Sequence, residues 1–158
     1  MISLQVHIDS QFLFVLDDET VIDKYTISTA KNGPGEVYGS EQTPRGQHIV
    51  RAKIGKNCPA NTVFVERRPT GEIFRPELRA QFPQRDWILT RIFWLSGLEV
   101  GKNRLGNVDT MRRYIYIHGS PDDVQMGVPG SRGCVRMRNK DIIELFDQIP
   151  VGTVILIK

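Results

Sequence analysis

The opening residues constrain the fold more than any other stretch of the chain. Ile2, Leu4, Val6 and Ile8 alternate with polar neighbours, and after Asp9-Ser10 the same period resumes at Phe12, Phe14 and Leu16. A period of two puts apolar side chains on one face of a strand, whereas a helix would scatter the same residues around its axis. Asp17-Asp18-Glu19 supplies a turn and Val21 to Ser28 reads as a third strand, so the chain begins as a β-meander.

The pattern continues in kind. Lys31 to Arg45, with Gly33-Pro34-Gly35 and Pro44, is a loop, and Gln47 to Ile54 returns to strand. Thr62 to Glu66 reads as a strand, Pro69-Thr70-Gly71 as a turn, and Trp87 to Leu95 as a buried strand. Pro76 and Pro83 limit the Arg75 to Arg85 stretch to a turn or two of helix. Gly97 to Asn107 is loop, and Tyr114 to Ile117 is a strand with His118-Gly119 at its end. The one convincing helix runs from Asn139 to Gln148, with Asn139 as N-cap and Ile142, Leu145, Phe146 and Ile149 as its apolar stripe. Val154 to Ile157 closes the chain as a strand. The expectation is a mainly β, sandwich-like fold in one domain over residues 1–158, with a single clear helix near the C-terminus.

Composition narrows the function classes. Hydrophobic residues make up 40% and charged residues 25%, the balance of a globular protein with a core of its own. A net charge of +3, spread over short basic clusters, falls short of the basic stripe that nucleic-acid binding requires, so no nucleic-acid partner is expected. No run approaches the length of a membrane span. The first residues lack a basic n-region followed by an apolar stretch, so with Met1 as the native start the expected location is the cytoplasm; a trimmed start would leave the periplasm open. Two cysteines, Cys58 and Cys134, make no disulfide framework. The three histidines, His7, His48 and His118, show no ligand spacing, and neither metal nor cofactor is expected.

The chemistry-bearing stretch is His118-Gly119-Ser120, a loop rich in Gly and Pro, then Ser131-Arg132-Gly133-Cys134-Val135-Arg136-Met137. A free thiol titrates near about 8.5 and attacks only as thiolate, so it needs a base or a cation beside it. Cys134 has arginines two positions away on either side, and His118 at a strand end is a candidate base. Gly133 removes side-chain bulk and lets backbone N–H groups face a developing oxyanion. Tyr116, two residues before His118 on the same strand face, lines either the site or the core. Taken alone, these residues leave a nucleophile and a buried structural cysteine both open.

The same residues resemble the active-site signature of the YkuD-type L,D-transpeptidase family: His-Gly-Thr/Ser, a loop, then Ser-His-Gly-Cys-Ile/Val-Arg-Met. Tyr25-Thr26-Ile27-Ser28-Thr29-Ala30-Lys31 followed by Gln42-Thr43-Pro44-Arg45-Gly46 is similar to the family's N-terminal block, so the likeness runs over nearly the whole chain. It implies that Cys134 attacks the L,D bond before the terminal D-alanine of a peptidoglycan stem tetrapeptide. His118 then acts as base, the Gly119 carbonyl orients its ring, and the Gly133 and Cys134 N–H groups form the oxyanion hole. Two features depart from the pattern: Arg132 stands where the family has a second histidine, and the loop after His118 is slightly shorter. Arginine cannot act as a base, but it can grip a carboxylate with two prongs. Arg132 and Arg136, with Ser131 and Tyr116, are therefore expected to bind a substrate with a free terminal carboxylate. The missing export signal and the similarity to leaderless members that trim wall tetrapeptides favour an L,D-carboxypeptidase of wall recycling. Transpeptidation or D-amino-acid exchange is the first alternative, and an inactive binder of wall peptides the second.

Overall fold

The computed structural model describes residues Met1–Lys158. The alternating segments fold as β1 (Ile2–His7), β2 (Phe12–Asp17) and β3 (Thr20–Ser28), followed by β4 (Gly46–Ile54), β5 (Thr62–Val65) and β6 (Arg68–Ile73). A short helix α1 (Pro76–Gln81) precedes β7 (Ile88–Gly97), and β8 (Tyr116–Ser120) and β9 (Val135–Arg138) flank the long glycine-rich loop. Helix α2 (Asn139–Gln148) and strand β10 (Val154–Ile157) end the chain.

The ladders run β4-β10-β1-β2-β3-β9-β8-β7, and β7 pairs again with β4. The mainly β expectation holds, and the sandwich-like arrangement takes the form of one sheet of ten strands, eight of which meet end to end in a ring. The β5–β6 hairpin hangs outside that ring, joined through β5 to the N-terminal half of β7. Each ring strand sends inward residues to a single core: Leu4 and Val6, Leu13 and Val15, Tyr25 and Ile27, Val50, Phe93 and Leu95, Ile117, Val135 and Met137, Ile155 and Ile157. Ile142, Leu145 and Phe146 of α2 join this cluster, so the helix is held by its apolar stripe rather than by its own propensity. No helix is long and apolar enough to cross a membrane.

Five local expectations need correction. In β2 the residues that face the core are Leu13 and Val15, while Phe12 and Phe14 lie on the outer side, because both alternating sets of this strand are apolar and the period alone does not choose between them. Asn139 is not the N-cap of α2; Arg138 is, without a side-chain cap bond, and Asn139 turns its amide into the protein instead. The β5–β6 hairpin turns at Glu66-Arg67, both with positive φ (49° and 64°), not at Pro69-Thr70-Gly71, which lies within β6. Pro69 is tolerated there because β6 is an edge strand. The Tyr114 to Ile117 strand sits two residues further on. His118 is therefore mid-strand, with hydrogen-bonded neighbours on both sides, rather than at a strand end.

Candidate active site

Strands β8 and β9 run parallel, with Ile117 opposite Val135 and His118 opposite Arg136. Ile117, Val135 and Met137 face the core. The alternation therefore sends Tyr116, His118, Cys134 and Arg136 to the outer face, and Cys134, just before β9, stands two residues from Arg136, the partner of His118. A small outer cluster of Phe64, Ile92 and Tyr116 packs beside Cys134.

His118 is fully buried. Its Nδ1 lies 2.6 Å from the Gly119 carbonyl oxygen. A carbonyl can only accept, so Nδ1 carries the hydrogen and Nε2 keeps its lone pair. Nε2 has no hydrogen-bond partner. Burial, above all, holds the imidazole below its ordinary pKa, against the pull of Asp86 and the Gly119 carbonyl. A neutral ring with a free Nε2 is the form that takes a proton.

The Cys134 Sγ accepts a hydrogen bond from the Tyr116 N–H (3.3 Å) and donates to the Tyr114 carbonyl (3.4 Å). Burial pushes its pKa up to about 12; the Tyr116 N–H, Arg136 and Arg113 pull it down, and Asp86 raises it. Thiol and imidazole thus rest as a neutral pair, without the preformed ion pair that a flanking-arginine argument suggests.

The loop before Cys134 is braced from within. Ser131 Oγ donates to the Cys134 carbonyl (2.6 Å) and accepts from the Gly133 N–H (3.1 Å), while Thr43 Oγ1 donates to the Gly133 carbonyl (2.9 Å). Of the two N–H groups expected to face an oxyanion, that of Gly133 is occupied and that of Cys134 makes no bond within the chain. Gly133 has φ of 136°, and a Cβ there would press on Ile115 and the Gln42 backbone, which explains glycine at this position.

Behind Gly119 lies a device that sequence reasoning missed. The β7–β8 register slips between Leu89 and Ile92, and Thr90 at this bulge has φ of 76°, a strained angle for a β-branched residue. Thr90 Oγ1 donates to Asn139 Oδ1 and accepts from the Asn61 N–H (3.0 Å). Asn139 Nδ2 donates to Asn61 Oδ1 (2.9 Å) and Asp122 Oδ1 (3.1 Å). The network packs against Gly119 so closely that a Cβ there would stand 2.5 Å from Asn139 Oδ1 and 2.6 Å from the Leu89 carbonyl oxygen. Only the position of Asn139 two residues after Met137 hinted at a role.

Cys134 opens onto a cleft of about 730 Å³ whose lining carries Arg67, Arg85, Arg113 and Arg132 against Glu66 and Asp86. Arg67 reaches over from the hairpin turn. Its guanidinium lies 4.7 Å from the Trp94 ring and 4.9 Å from the Tyr114 ring, and it donates to Tyr116 Oη (3.0 Å). Arg113 donates to the Gln42 carbonyl (2.6 Å) and has no carboxylate partner; burial lowers its pKa. Tyr116 and Arg132 line the cleft, whereas Ser131 is a loop brace and Arg136 donates to the Gly130 carbonyl (3.0 Å) and Asp86 (3.4 Å). Cys58 is a half-buried thiol at the rim of the outer cluster, and His48 is buried between the Gly46 carbonyl and Thr110 Oγ1. No group of His, Cys, Asp and Glu gathers with the spacing of a metal site.

A thiol with a polarisable S–H, an imidazole with a free lone pair on the next strand and an arginine-lined cleft are the parts of a cysteine-dependent acyl-transfer enzyme. The YkuD family, described as the L,D-transpeptidase catalytic domain, matches residues 2–157, and the chain belongs to it. Among curated proteins it is 33% identical over 112 residues to "Probable L,D-transpeptidase YbiS" of Escherichia coli, covering 64% of this chain and 33% of that protein. It is 49% identical over 41 residues to "Probable L,D-transpeptidase ErfK/SrfK" of Escherichia coli, covering 26% of this chain and 13% of that one. The alignments thus span a third or less of these relatives' length. Among solved structures, an L,D-transpeptidase from Xylanimonas cellulosilytica superposes with a TM-score of 0.57 at 19% identity, covering 99% of this chain and 60% of that one. An L,D-transpeptidase from Mycobacterium smegmatis gives 0.57 at 18%, covering 99% and 58%. At those identities the likeness is one of fold.

Proposed function

We propose that the chain cleaves the L,D bond to the terminal D-alanine of peptidoglycan stem tetrapeptides through a thioester on Cys134. The observation that carries this reading is the His118 tautomer: Nδ1–H held by the Gly119 carbonyl, leaving Nε2 free on the strand beside the one that Cys134 leads into. As substrate enters, the Cys134 thiol gives its proton to Nε2 and its sulfur attacks the carbonyl carbon of the third residue. The oxyanion is met by the free Cys134 N–H. The C–N bond then breaks, the His118 proton passes to the leaving amine, and D-alanine departs from a thioester.

The acceptor of the acyl group separates two readings. Transfer to water releases a tripeptide; transfer to an amine makes a cross-link or exchanges the terminal residue. The excess of guanidinium groups over carboxylates in the cleft supports water, because it attracts the anionic substrate and repels an ammonium-bearing acceptor. The names of the relatives support the amine. Hydrolysis goes with trimming of free wall peptides in the cytoplasm, which fractionation of the native cells tests.

Incubation with a sugar-free tetrapeptide, read by mass, decides. Loss of one alanine residue is the expected result. Exchange with added D-methionine assigns the transferase instead. An unchanged peptide that binds, with no adduct on Cys134, overturns both and leaves a wall-peptide binder.

A further inference from the structure

A second, smaller cavity adjoins the cleft. It holds about 160 Å³ and shares Arg85, Asp86 and Arg132 with the cleft wall, but its remaining lining comes from the other side of the reacting pair, including Arg136, Trp87 and Val124. Arg136 is the cross-strand partner of His118, just as Cys134 adjoins Tyr116. The cleft therefore serves the thiol side and the small cavity the imidazole side.

Positive charge outweighs negative there. Four arginines line it against Asp86, and three of them, Arg79, Arg85 and Arg136, are paired with Asp123, Glu72 and Asp86. Arg132 gives a single hydrogen bond, to the Gln84 carbonyl (3.2 Å). Trp87 is 7% exposed, packs edge-on against Phe74 and carries an indole Nε1–H with no acceptor at all. A buried donor without a partner is uncommon and calls for an anion or carbonyl when the cavity is filled.

We infer that this cavity receives the amino acid released by the reaction, with its carboxylate on Arg132 and the Trp87 indole N–H, beside the Arg136–Asp86 pair, and its small side chain toward Val124. The inference rests on the reading proposed above and adds a selection rule to it. A leaving amine must lie beside the imidazole that protonates it, and the carboxylate of a C-terminal residue follows one carbon later. A volume of about 160 Å³ takes a small amino acid such as alanine whole, whereas the added ring of phenylalanine would crowd it. The cavity thus sets both the size of the departing residue and the need for a free carboxylate.

The test reads binding apart from turnover. In Cys134→Ser protein labelled with ¹⁵N at tryptophan, D-alanine is titrated and the two indole resonances are followed. Trp87 is expected to shift, and Trp94, whose Nε1–H is already bonded to the Met111 carbonyl, to stay in place. D-alaninamide and D-phenylalanine are expected to bind at least about 10-fold more weakly. Val124→Ala should narrow the gap between D-alanine and D-norvaline, whereas Trp87→Phe should narrow that between D-alanine and its amide and leave the size preference alone. A silent Trp87 resonance, or equal binding of D-alanine and D-phenylalanine, overturns the inference whatever the catalytic assay shows. A specific Trp87 shift without turnover of any tetrapeptide upholds the cavity as an amino-acid site and refutes the proposed reaction.

Discussion

Replacing Gly119 by alanine asks a sharp question of the site. Gly119 lies on β8 without a positive φ, so the substitution adds no backbone strain and acts only through its methyl group. That methyl would stand 2.6 Å from the Leu89 carbonyl oxygen, where ordinary contact begins at 3.4 Å, so something must move by about 0.8 Å. The carbonyl belongs to a fully buried residue of β7, and Asn139 Oδ1, at 2.5 Å, is held by Thr90. The piece left to move is β8 itself, which carries the oxygen that fixes His118 Nδ1. Overpacking of this kind costs about 1–3 kcal/mol. For a chain of this length that lowers Tm by roughly 2 to 12 °C. A displacement near 1 Å at a catalytic group costs about 100-fold in rate. Scanning calorimetry and kcat on the tetrapeptide read the two effects separately. Gly130→Ala, whose methyl would meet nothing closer than 3.4 Å, is the reference and should match the wild type. A Gly119→Ala protein with unchanged Tm and kcat would refute the claim that this carbonyl is clamped.

Other predictions follow from the same geometry. Cys134→Ala should abolish the covalent adduct and turnover, read by mass, while keeping the thermal transition at pH 7. Because burial holds the folded thiol at about 12, above an ordinary thiol, the protonated form favours the fold; that contribution is present below about pH 8.5 and lost as pH rises toward 12, so the Ala variant should lose less stability over that range in urea titrations. His48 is held down to about 4 from 6.5, mainly by burial, so its contribution is present above pH 6.5 and lost as pH falls toward 4. It amounts to about 3 kcal/mol, and His48→Asn should show a correspondingly flatter acid limb in urea midpoints. Arg67→Ala should free the hairpin tip from Trp94 and Tyr114, raising KM with little change in kcat; an unchanged KM would remove Arg67 from the substrate path.

The strands were legible because alternation is a local property, and Leu4, Val6 and Ile27 face the core as their period demands, but in β2 both alternating sets are apolar and it is Leu13 and Val15, not Phe12 and Phe14, that turn inward. The segments that carry His118 and Cys134 were legible as a strand, a glycine-rich loop and a second strand, and β8 and β9 pair in parallel. What escaped was long-range. Closure of the sheet depends on β4 meeting both β10 and β7, which no window of residues encodes. Arg67 enters the cleft through a turn made by two non-glycine residues at positive φ, a choice that turn chemistry disfavours and the Trp94–Tyr114 bracket overrides. Asn139 looked like a cap because asparagine favours caps, but its amide is spent on Thr90, Asn61 and Asp122. Thr90 carried no signal of any kind.

The seal of the ring has a consequence for how the protein comes into being. Strand β10, only Val154–Ile157, is seated between β1 and β4, and its partner residues in β1 are Leu4 to Val6. Strand β1 leaves the ribosome well before β10 and therefore waits for it before that side is covered, a pairing of very high sequence separation that folds slowly. Until then a growing chain holds the thiol-bearing strands in an open curl with unsealed margins at β1 and β4. Removing those four residues should therefore leave molecules that stick to one another through those margins, rather than compact but slightly weakened ones.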